Sequence, residues 1–178
     1  MVSRRLLFKT IVVGDGGVGK STLIQRLITG KYIAQKITIG TDLATYDVSI
    51  DEETKIKLQI WDFAGEKRFR FFLPNYCRGA LGCLLCYDIT RFQSFKNLNE
   101  WYSIVTEHAS DPVFILVGCK ADLADEKRAV DYEQGREYKE EKNMFKFFES
   151  SSKTGENIKS IFEILTKGIV KKRHIEYE

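Results

Sequence analysis

The sequence predicts an α/β fold in which a mostly parallel β-sheet carries helices on both faces. Near the N-terminus a glycine-rich loop separates an apolar strand from an amphipathic helix, which forms the first unit of such a sheet. Two later runs, 80–87 and 113–118, are apolar throughout, as expected for central parallel strands that are covered on both faces. An alternating apolar and polar pattern over 42–60 indicates a β-hairpin near the sheet edge.

The glycine-rich loop is the most specific motif in the chain. The run Gly14-Asp15-Gly16-Gly17-Val18-Gly19-Lys20-Ser21 satisfies the pattern G-x-x-x-x-G-K-[ST] in full, between an apolar strand over 6–13 and helical spacing over 23–28. In that context the loop backbone and the positive end of the helix can bind a polyphosphate. We expect Lys20 to reach the β- and γ-phosphates and Ser21 to ligate Mg²⁺. The alternative is a glycine-rich turn with an incidental lysine.

Length and composition limit the classes of protein to consider. A chain of 178 residues fits one domain, 1–178, with a single core. The net charge is only +3 and basic residues are spread along the chain, which does not favour a nucleic-acid-binding protein. The longest apolar runs are far shorter than a membrane-spanning segment, and the N-terminus lacks the apolar core of a signal peptide. We therefore expect a soluble, cytoplasmic protein.

The four cysteines favour a reducing compartment, in which they remain thiols. Cys83 and Cys86 form a C-x-x-C motif inside an apolar strand, where residues three apart point to opposite faces and cannot share a metal ion. Buried core thiols are the favoured interpretation. Because His108 and His174 are the only histidines, no site for a soft metal ion is expected.

Two further residues are candidates for a magnesium site. The polar stretch 30–40 follows the first helix and carries Thr38, whose hydroxyl could ligate a metal ion. The second strand of the hairpin runs into Asp62, which places this carboxylate at the C-terminal end of a strand, where open α/β sheets bind their ligands. An acidic residue there can hold Mg²⁺ through water.

The segment 66–79 mixes arginines and phenylalanines without clear periodicity. Exposed aromatic residues of this kind favour a mobile partner-binding surface. Phenylalanines that simply pack beneath a loop are an equal alternative.

The remaining elements follow from apolar spacing and helix caps. Ser94 should open a helix with a core-facing apolar stripe, and Asp131 should cap a charged helix that extends to about Lys142. A last strand is expected over 144–149, and a closing helix should begin near Ile158.

Taken together, the nucleotide motifs of the chain resemble those of the Ras superfamily of small GTPases. They occur in the order phosphate loop, Thr38, Asp62-x-x-Gly65, Lys120-x-Asp122 and Ser151-Ser152-Lys153, and the resemblance covers nearly the whole chain. The runs that look like the Rab branch include Thr38-Ile39-Gly40, Leu58-Gln59-Ile60-Trp61-Asp62 and Tyr87-Asp88-Ile89-Thr90. The resemblance implies a P-loop NTPase fold, with a six-stranded, mostly parallel sheet, one antiparallel edge strand and helices on both faces.

A member of this family is a GTP/GDP switch that binds guanine nucleotide with Mg²⁺ and hydrolyses GTP slowly to GDP. Two switch regions, around Thr38 and over 62–76, would be ordered by the γ-phosphate and Mg²⁺ and would bind effector proteins. An exchange factor and an activating protein are the other implied partners, and a monomer is expected. The Rab branch implies membrane trafficking, and therefore a cytoplasmic protein that can lie peripheral to membranes.

The resemblance also assigns the site residues. Asp122 should select guanine, because its carboxylate can accept from both N1–H and the exocyclic amine. Lys120 and Tyr32 would flank the base, and the backbone N–H of Ser152 would meet the guanine carbonyl. The expected nucleotide-binding residues are Asp15, Gly16, Gly17, Val18, Gly19, Lys20, Ser21, Thr22, Tyr32, Thr38, Gly65, Cys119, Lys120, Asp122, Ser151, Ser152 and Lys153. The expected metal residues are Ser21, Thr38 and Asp62, and the expected catalytic residues are Lys20, Thr38, Gly65 and Glu66.

Three positions depart from the family pattern. Glu66 stands where the family has glutamine, Cys119 stands where it has asparagine, and the stretch from Tyr32 to Thr38 is one residue shorter. A glutamate carboxylate cannot donate a hydrogen bond, which predicts slow intrinsic hydrolysis. A thiol is a weaker donor than an amide, which predicts faster nucleotide release.

These departures leave an alternative open, a GTP-binding scaffold with negligible hydrolysis. An ATP-using phosphotransferase is a second alternative, but it conflicts with Asp122. The chain ends in the run 171–178, which has no terminal cysteine, so the prenyl anchor that is usual for Rab proteins is not expected on this sequence.

Overall fold

A computed structural model of the chain describes residues 5–34, 37–52 and 54–174. The expectation about a prenyl anchor concerns the last residues, 175–178, which lie outside the described residues. The expectations about the length of the Tyr32–Thr38 stretch and about the hairpin turn also fall partly outside them, at Gln35, Lys36 and Glu53.

Six strands form one sheet in the order β2-β3-β1-β4-β5-β6. Their bounds are β1 Arg5–Val13, β2 Thr41–Ser49, β3 Lys55–Phe63, β4 Gly82–Asp88, β5 Val113–Cys119 and β6 Lys146–Ser150. β2 pairs antiparallel with β3, and the pairs β1–β3, β1–β4, β4–β5 and β5–β6 are all parallel. The predicted fold class is confirmed, with β2 as the antiparallel edge strand.

The described α-helices connect the strands and cover both faces of the sheet. Their bounds are α1 Lys20–Thr29, α2 Leu73–Cys77, α3 Phe92–Lys96, α4 Leu98–His108, α5 Ala124–Lys127, α6 Tyr132–Glu141 and α7 Ile158–Lys172. Two 3₁₀ helices, Lys67–Phe72 and Ala121–Leu123, precede α2 and α5. The apolar stripes of α1 and α7 pack on one face, and those of α2, α4 and α6 pack on the other.

The strands β4 and β5 are buried at every position, as their apolar sequences predict. Successive side chains alternate between the two layers of the core, so Leu84 and Cys86 pack with α1 and α7, whereas Cys83 and Leu85 pack against α4. Cys83 and Cys86 therefore do point to opposite faces. All four cysteines are buried free thiols, and each layer contains two of them: Cys86 and Cys119 in one, Cys77 and Cys83 in the other.

Two elements differ from the sequence prediction. The helix expected to open at Ser94 begins at Phe92 and is divided at Asn97. Ser94 instead lies buried in the first turn, where its hydroxyl accepts from the Asp88 N–H at the end of β4. The segment 66–79, which has no periodic pattern, forms the first 3₁₀ helix followed by α2, with Leu73 fully buried as an anchor. The predicted cap of α6 is present as a capping box between Asp131 and Gln134.

The topology collects functional side chains at one edge of the sheet. The C-terminal ends of the five parallel strands lie side by side, and they deliver Val13, Phe63, Asp88, Cys119 and Ser150 to the same edge. Each polar loop that follows one of these ends therefore faces the same cleft, as expected for ligand sites in open α/β sheets.

Gly135 tests how closely α6 packs against the sheet. Glycine inside a helix normally costs about 1 kcal/mol relative to alanine, so replacement should stabilise an exposed helix. A Cβ on Gly135 would instead overlap the Phe147 ring and lie 2.6 Å from the Tyr87 hydroxyl. We expect Gly135→Ala to lower the free energy of unfolding by about 1–3 kcal/mol, measured by urea denaturation. The exposed neighbour change Glu137→Ala should alter it by less than about 0.5 kcal/mol, and a stabilised Gly135→Ala protein would contradict this packing.

Candidate functional site

The loop 14–19 folds tightly at the end of β1. Gly14, Gly17 and Gly19 all have positive φ, of 145°, 75° and 115°, which only glycine adopts without strain. A Cβ on Gly14 would overlap the Cys86 carbonyl oxygen of β4, so the loop lies directly against the sheet. Gly19 provides no side-chain cap for α1, which leaves the first N–H groups of that helix for another partner. An anion is the partner that such a helix end binds best.

Lys20 lies beneath the loop with only 5% of its surface exposed. Its Nζ donates to the carbonyl oxygens of Gly14 and Asp15, each at 2.8 Å. Burial lowers the pKa of Lys20, and the attraction of Asp62 opposes that shift. A buried ammonium group of this kind gains from a nearby anion, which is the property required of a lysine that binds phosphate.

Three oxygen ligands converge beside the loop. The Ser21 hydroxyl lies 2.6 Å from Thr38 Oγ1 and donates to Asp62 Oδ2, and Thr38 Oγ1 lies 3.5 Å from the same carboxylate oxygen. The other oxygen, Asp62 Oδ1, is buried without a hydrogen-bond partner among the described residues. Burial raises the pKa of Asp62, against the opposing effects of Ser21 and Lys20. Hard oxygen ligands and an unsatisfied carboxylate oxygen fit Mg²⁺, which binds through such groups and keeps part of its water shell.

A second group of polar residues follows β5 and β6. Lys120 donates from Nζ to the Gly17 carbonyl oxygen at 3.0 Å and forms a 2.6 Å ion pair with Asp88. Ser151 donates to Asp122 Oδ1 at 2.7 Å and accepts from the Thr154 N–H at 3.1 Å. Ser151 thus holds one oxygen of the Asp122 carboxylate, which leaves the other oxygen for a ligand.

Two adjoining clefts run between these groups and share Gly19, Thr22, Tyr32 and Lys120. The first, of about 270 Å³, is lined by the loop, Thr38, Gly65 and Glu66, among others. The second is lined by Cys119, Asp122, Ser152 and Lys153, together with Leu123, which no sequence signal had singled out. A larger groove, of about 980 Å³, opens beside the start of β5 and the end of α7 and contains none of the predicted site residues.

Two predicted site residues turn their side chains away from the clefts. Val18 is fully buried in the core, and the Asp15 carboxylate accepts hydrogen bonds from Arg70, Asn97 and Trp101. Both residues can therefore offer a nucleotide only their backbone. Trp101 lies on the core-facing stripe expected for the helix near Ser94, and Arg70 is one of the arginines of the segment 66–79. Neither residue has a local sequence pattern that indicates a contact with Asp15.

Glu66 begins the segment after β3, at the wall of the first cleft. Gly65 before it has no room for a side chain, because a Cβ would overlap the Gly16 nitrogen and the Asp15 carbonyl carbon. The Glu66 carboxylate forms a 2.7 Å ion pair with Arg68. The segment therefore touches the phosphate loop through backbone, with the glutamate beside it.

Cys119 is 4% exposed at the end of β5. The neighbouring Cys119 thiol, together with burial, raises the pKa of Cys86. Among the described residues, the side-chain hydrogen bond from this loop to the phosphate loop is the one that Lys120 donates to the Gly17 carbonyl.

No helix in the described part of the chain is long and apolar enough to span a membrane.

The comparisons with known proteins agree on one family. The Ras family profile matches residues 9–171. The Ras-related protein RABE1e of Arabidopsis thaliana is 44% identical over 165 residues, which is 92% of this chain and 75% of the relative. The GTP-binding protein ypt2 of Schizosaccharomyces pombe is 43% identical over 97% of this chain and 85% of the relative, and the Ras-related protein SEC4 of Candida albicans is 42% identical over 96% and 80%. The chain therefore belongs to the Ras family, as a Rab-like small GTPase.

Proposed function

We propose that residues 1–178 form one guanine-nucleotide-binding domain that acts as a Rab-like GTP/GDP switch with Mg²⁺ and hydrolyses GTP slowly. The observation that carries the proposal is that three groups meet at two adjoining clefts. They are the buried Lys20 under the phosphate loop, the Ser21 and Thr38 hydroxyls with the Asp62 carboxylate that they contact, and the pair Lys120 and Asp122. Each group suits a different part of GTP–Mg²⁺.

The phosphate end of the site would act through positioning and charge. Bound Mg²⁺ would neutralise charge that develops on the phosphate oxygens. The loop N–H groups and Lys20 would hold the β- and γ-phosphates, while Ser21, Thr38 and Asp62 would hold the metal. Glu66, at the wall of the same cleft, can accept a hydrogen bond from an attacking water. It cannot donate one to a phosphate oxygen, which supports a slow intrinsic rate.

The base end of the site favours guanine. The free oxygen of Asp122 can accept from the base, while the ion pair with Asp88 holds Lys120 over the loop. Tyr32, Ser152 and Lys153 line the same clefts and would complete the contacts.

Partner binding would use the two switch regions. Around Thr38, the side chains of Ile37 and Ile39 are 76% and 75% exposed, and in the second region Phe71 is 73% exposed. Exposed apolar side chains near a nucleotide-dependent segment suit effectors, an exchange factor and an activating protein. The Rab-type relatives support a role in membrane trafficking by a cytoplasmic protein that acts peripherally at membranes.

The metal site predicts the effect of Ser21→Asn. Loss of the hydroxyl removes one of the three converging oxygens. The affinity for Mg²⁺ should therefore fall by about tenfold or more. We expect the Mg²⁺ concentration that half-maximally slows release of a fluorescent GDP analogue to rise by that factor. Thr29→Ala, which removes a hydroxyl from the far end of α1, serves as the control. An unchanged Mg²⁺ dependence in Ser21→Asn would argue against this metal site.

The base site predicts the effect of Asp122→Asn. An amide presents a donor where the carboxylate presents only acceptors, so the variant should lose most of its preference for GTP over XTP, by a factor of about a hundred or more. Competition of both nucleotides against the fluorescent analogue measures the ratio. If GTP kept its original margin over XTP, Asp122 would not contact the base edge.

The hydrolytic site predicts the effect of Glu66→Gln. Glutamine can accept a hydrogen bond from the water and donate one to a phosphate oxygen at the same time. The rate of single-turnover GTP hydrolysis near neutral pH should therefore be higher than in the native protein by about tenfold or more. Glu66→Ala is the control, since it removes both properties and should not accelerate the reaction. A native protein as fast as the glutamine variant would refute this role. A native protein with no measurable hydrolysis would favour the GTP-binding scaffold.

A further inference from the structure

A cluster of polar side chains lies behind the phosphate loop, on the side away from the clefts, with Arg70 and Trp101 buried and Glu100 exposed. We call it the Asp15 cluster: Asp15, Arg70, Asn97, Glu100 and Trp101. The Asp15 carboxylate accepts from Trp101 Nε1 at 2.8 Å, from Asn97 Nδ2 at 2.6 Å and from Arg70 Nη2 at 3.3 Å. Asp15 belongs to the loop, Arg70 to the first 3₁₀ helix, and the other three lie at or within α4.

Arg70 is fixed from three sides within this cluster. The residue is 8% exposed, and its guanidinium carbon lies 4.4 Å from the centre of the Trp101 ring. One Nη group contacts Asp15 and the other forms an ion pair with Glu100. A guanidinium group can lie over an indole ring and contact two carboxylates through separate nitrogens at the same time, and the single ammonium group of lysine cannot reproduce this arrangement.

The segment that carries Glu66 is therefore held against the phosphate loop at two points. At its start, the Gly65 backbone fills the space beside Gly16 so completely that a Cβ does not fit. Five residues later, Arg70 is tied to Asp15 of the same loop. Glu66 lies between these points, and its carbonyl accepts from the Phe69 N–H at 3.0 Å, which closes the first turn of the 3₁₀ helix.

We infer that Arg70 is a positioning residue: through Asp15 and Trp101 it holds the segment 66–72 against the phosphate loop and so sets where the side chain at position 66 lies in the cleft. Its effect on hydrolysis rests on the proposed function, whereas its effect on the segment does not.

The first experiment measures the segment directly in the GDP-bound protein. In Arg70→Met, amide hydrogen exchange over 66–72 should be about tenfold faster or more, including the Phe69 N–H. Lys67→Met, which removes a positive charge from the same 3₁₀ helix at an exposed position, should exchange like the native protein. Native-like exchange in Arg70→Met would overturn the inference. If Arg70→Met does not fold, Arg70→Lys replaces it, with a smaller acceleration expected and an absence of acceleration again decisive.

The fluorescence of Trp101 provides a second measurement, of the contact between Arg70 and Trp101. The chain has two tryptophans, so Trp61→Phe leaves Trp101 as the only indole. In that background, Arg70→Met should shift the emission of Trp101 because it removes the stacked cation, and Lys67→Met should not. Identical spectra for all three proteins would contradict a contact between Arg70 and Trp101.

The last experiment separates positioning from simple stabilisation. In the Glu66→Gln background, Arg70→Met should slow single-turnover GTP hydrolysis by about tenfold. In the Glu66→Ala background it should leave the rate unchanged, because no functional side chain remains to be positioned. Equal slowing in both backgrounds would show that Arg70 does not act through position 66. If neither background hydrolyses GTP, the proposed hydrolysis fails, and the exchange measurement alone decides the inference about Arg70.

Discussion

The phosphate loop lies between two backbone segments that leave no space for a side chain. On one side Gly14 meets the Cys86 carbonyl of β4, and on the other Gly65 meets the Gly16 nitrogen. These two contacts set the distance between the sheet, the loop and the segment that carries Glu66. Because a Cβ at either glycine would separate the layers, the remaining geometry of the clefts depends on this fit.

Within that frame, buried charges define the site. Lys20 and Asp62 are both almost inaccessible to solvent. Burial lowers the pKa of Lys20 and raises the pKa of Asp62, so it favours the neutral form of each side chain. Their mutual attraction offsets only part of this cost, so an anion beside the lysine and a cation beside the carboxylate would both stabilise the folded protein. Nucleotide and metal binding are expected to contribute to stability as well as to function.

The sequence was sufficient to predict the sheet and to select most of the residues that line the two clefts, since both depend on local patterns. Apolar runs mark β4 and β5, and the phosphate loop has a motif whose spacing follows from backbone geometry. The Asp15 cluster could not be found in this way. Its hydrogen bonds join residues that lie 55, 82 and 86 positions apart, and their directions depend on how α4 and the 3₁₀ helix pack. Leu123 was missed for a different reason: its apolar side chain belongs to no motif, and the 3₁₀ helix that follows Lys120 places it in the second cleft beside Asp122.

The distribution of the four cysteines has a practical consequence. Each layer of the core holds two buried thiols, Cys86 with Cys119 beside α1 and α7, and Cys77 with Cys83 beside α2 and α4. A thiol reagent can reach Cys77, Cys83 and Cys86 only when the layer that covers them opens, whereas Cys119 also lines the second cleft. Labelling rates at Cys86 and at Cys83 therefore report the local opening of each side of the sheet separately, without any introduced probe. The chain thus carries its own pair of reporters for whether nucleotide release loosens one half of the domain or both.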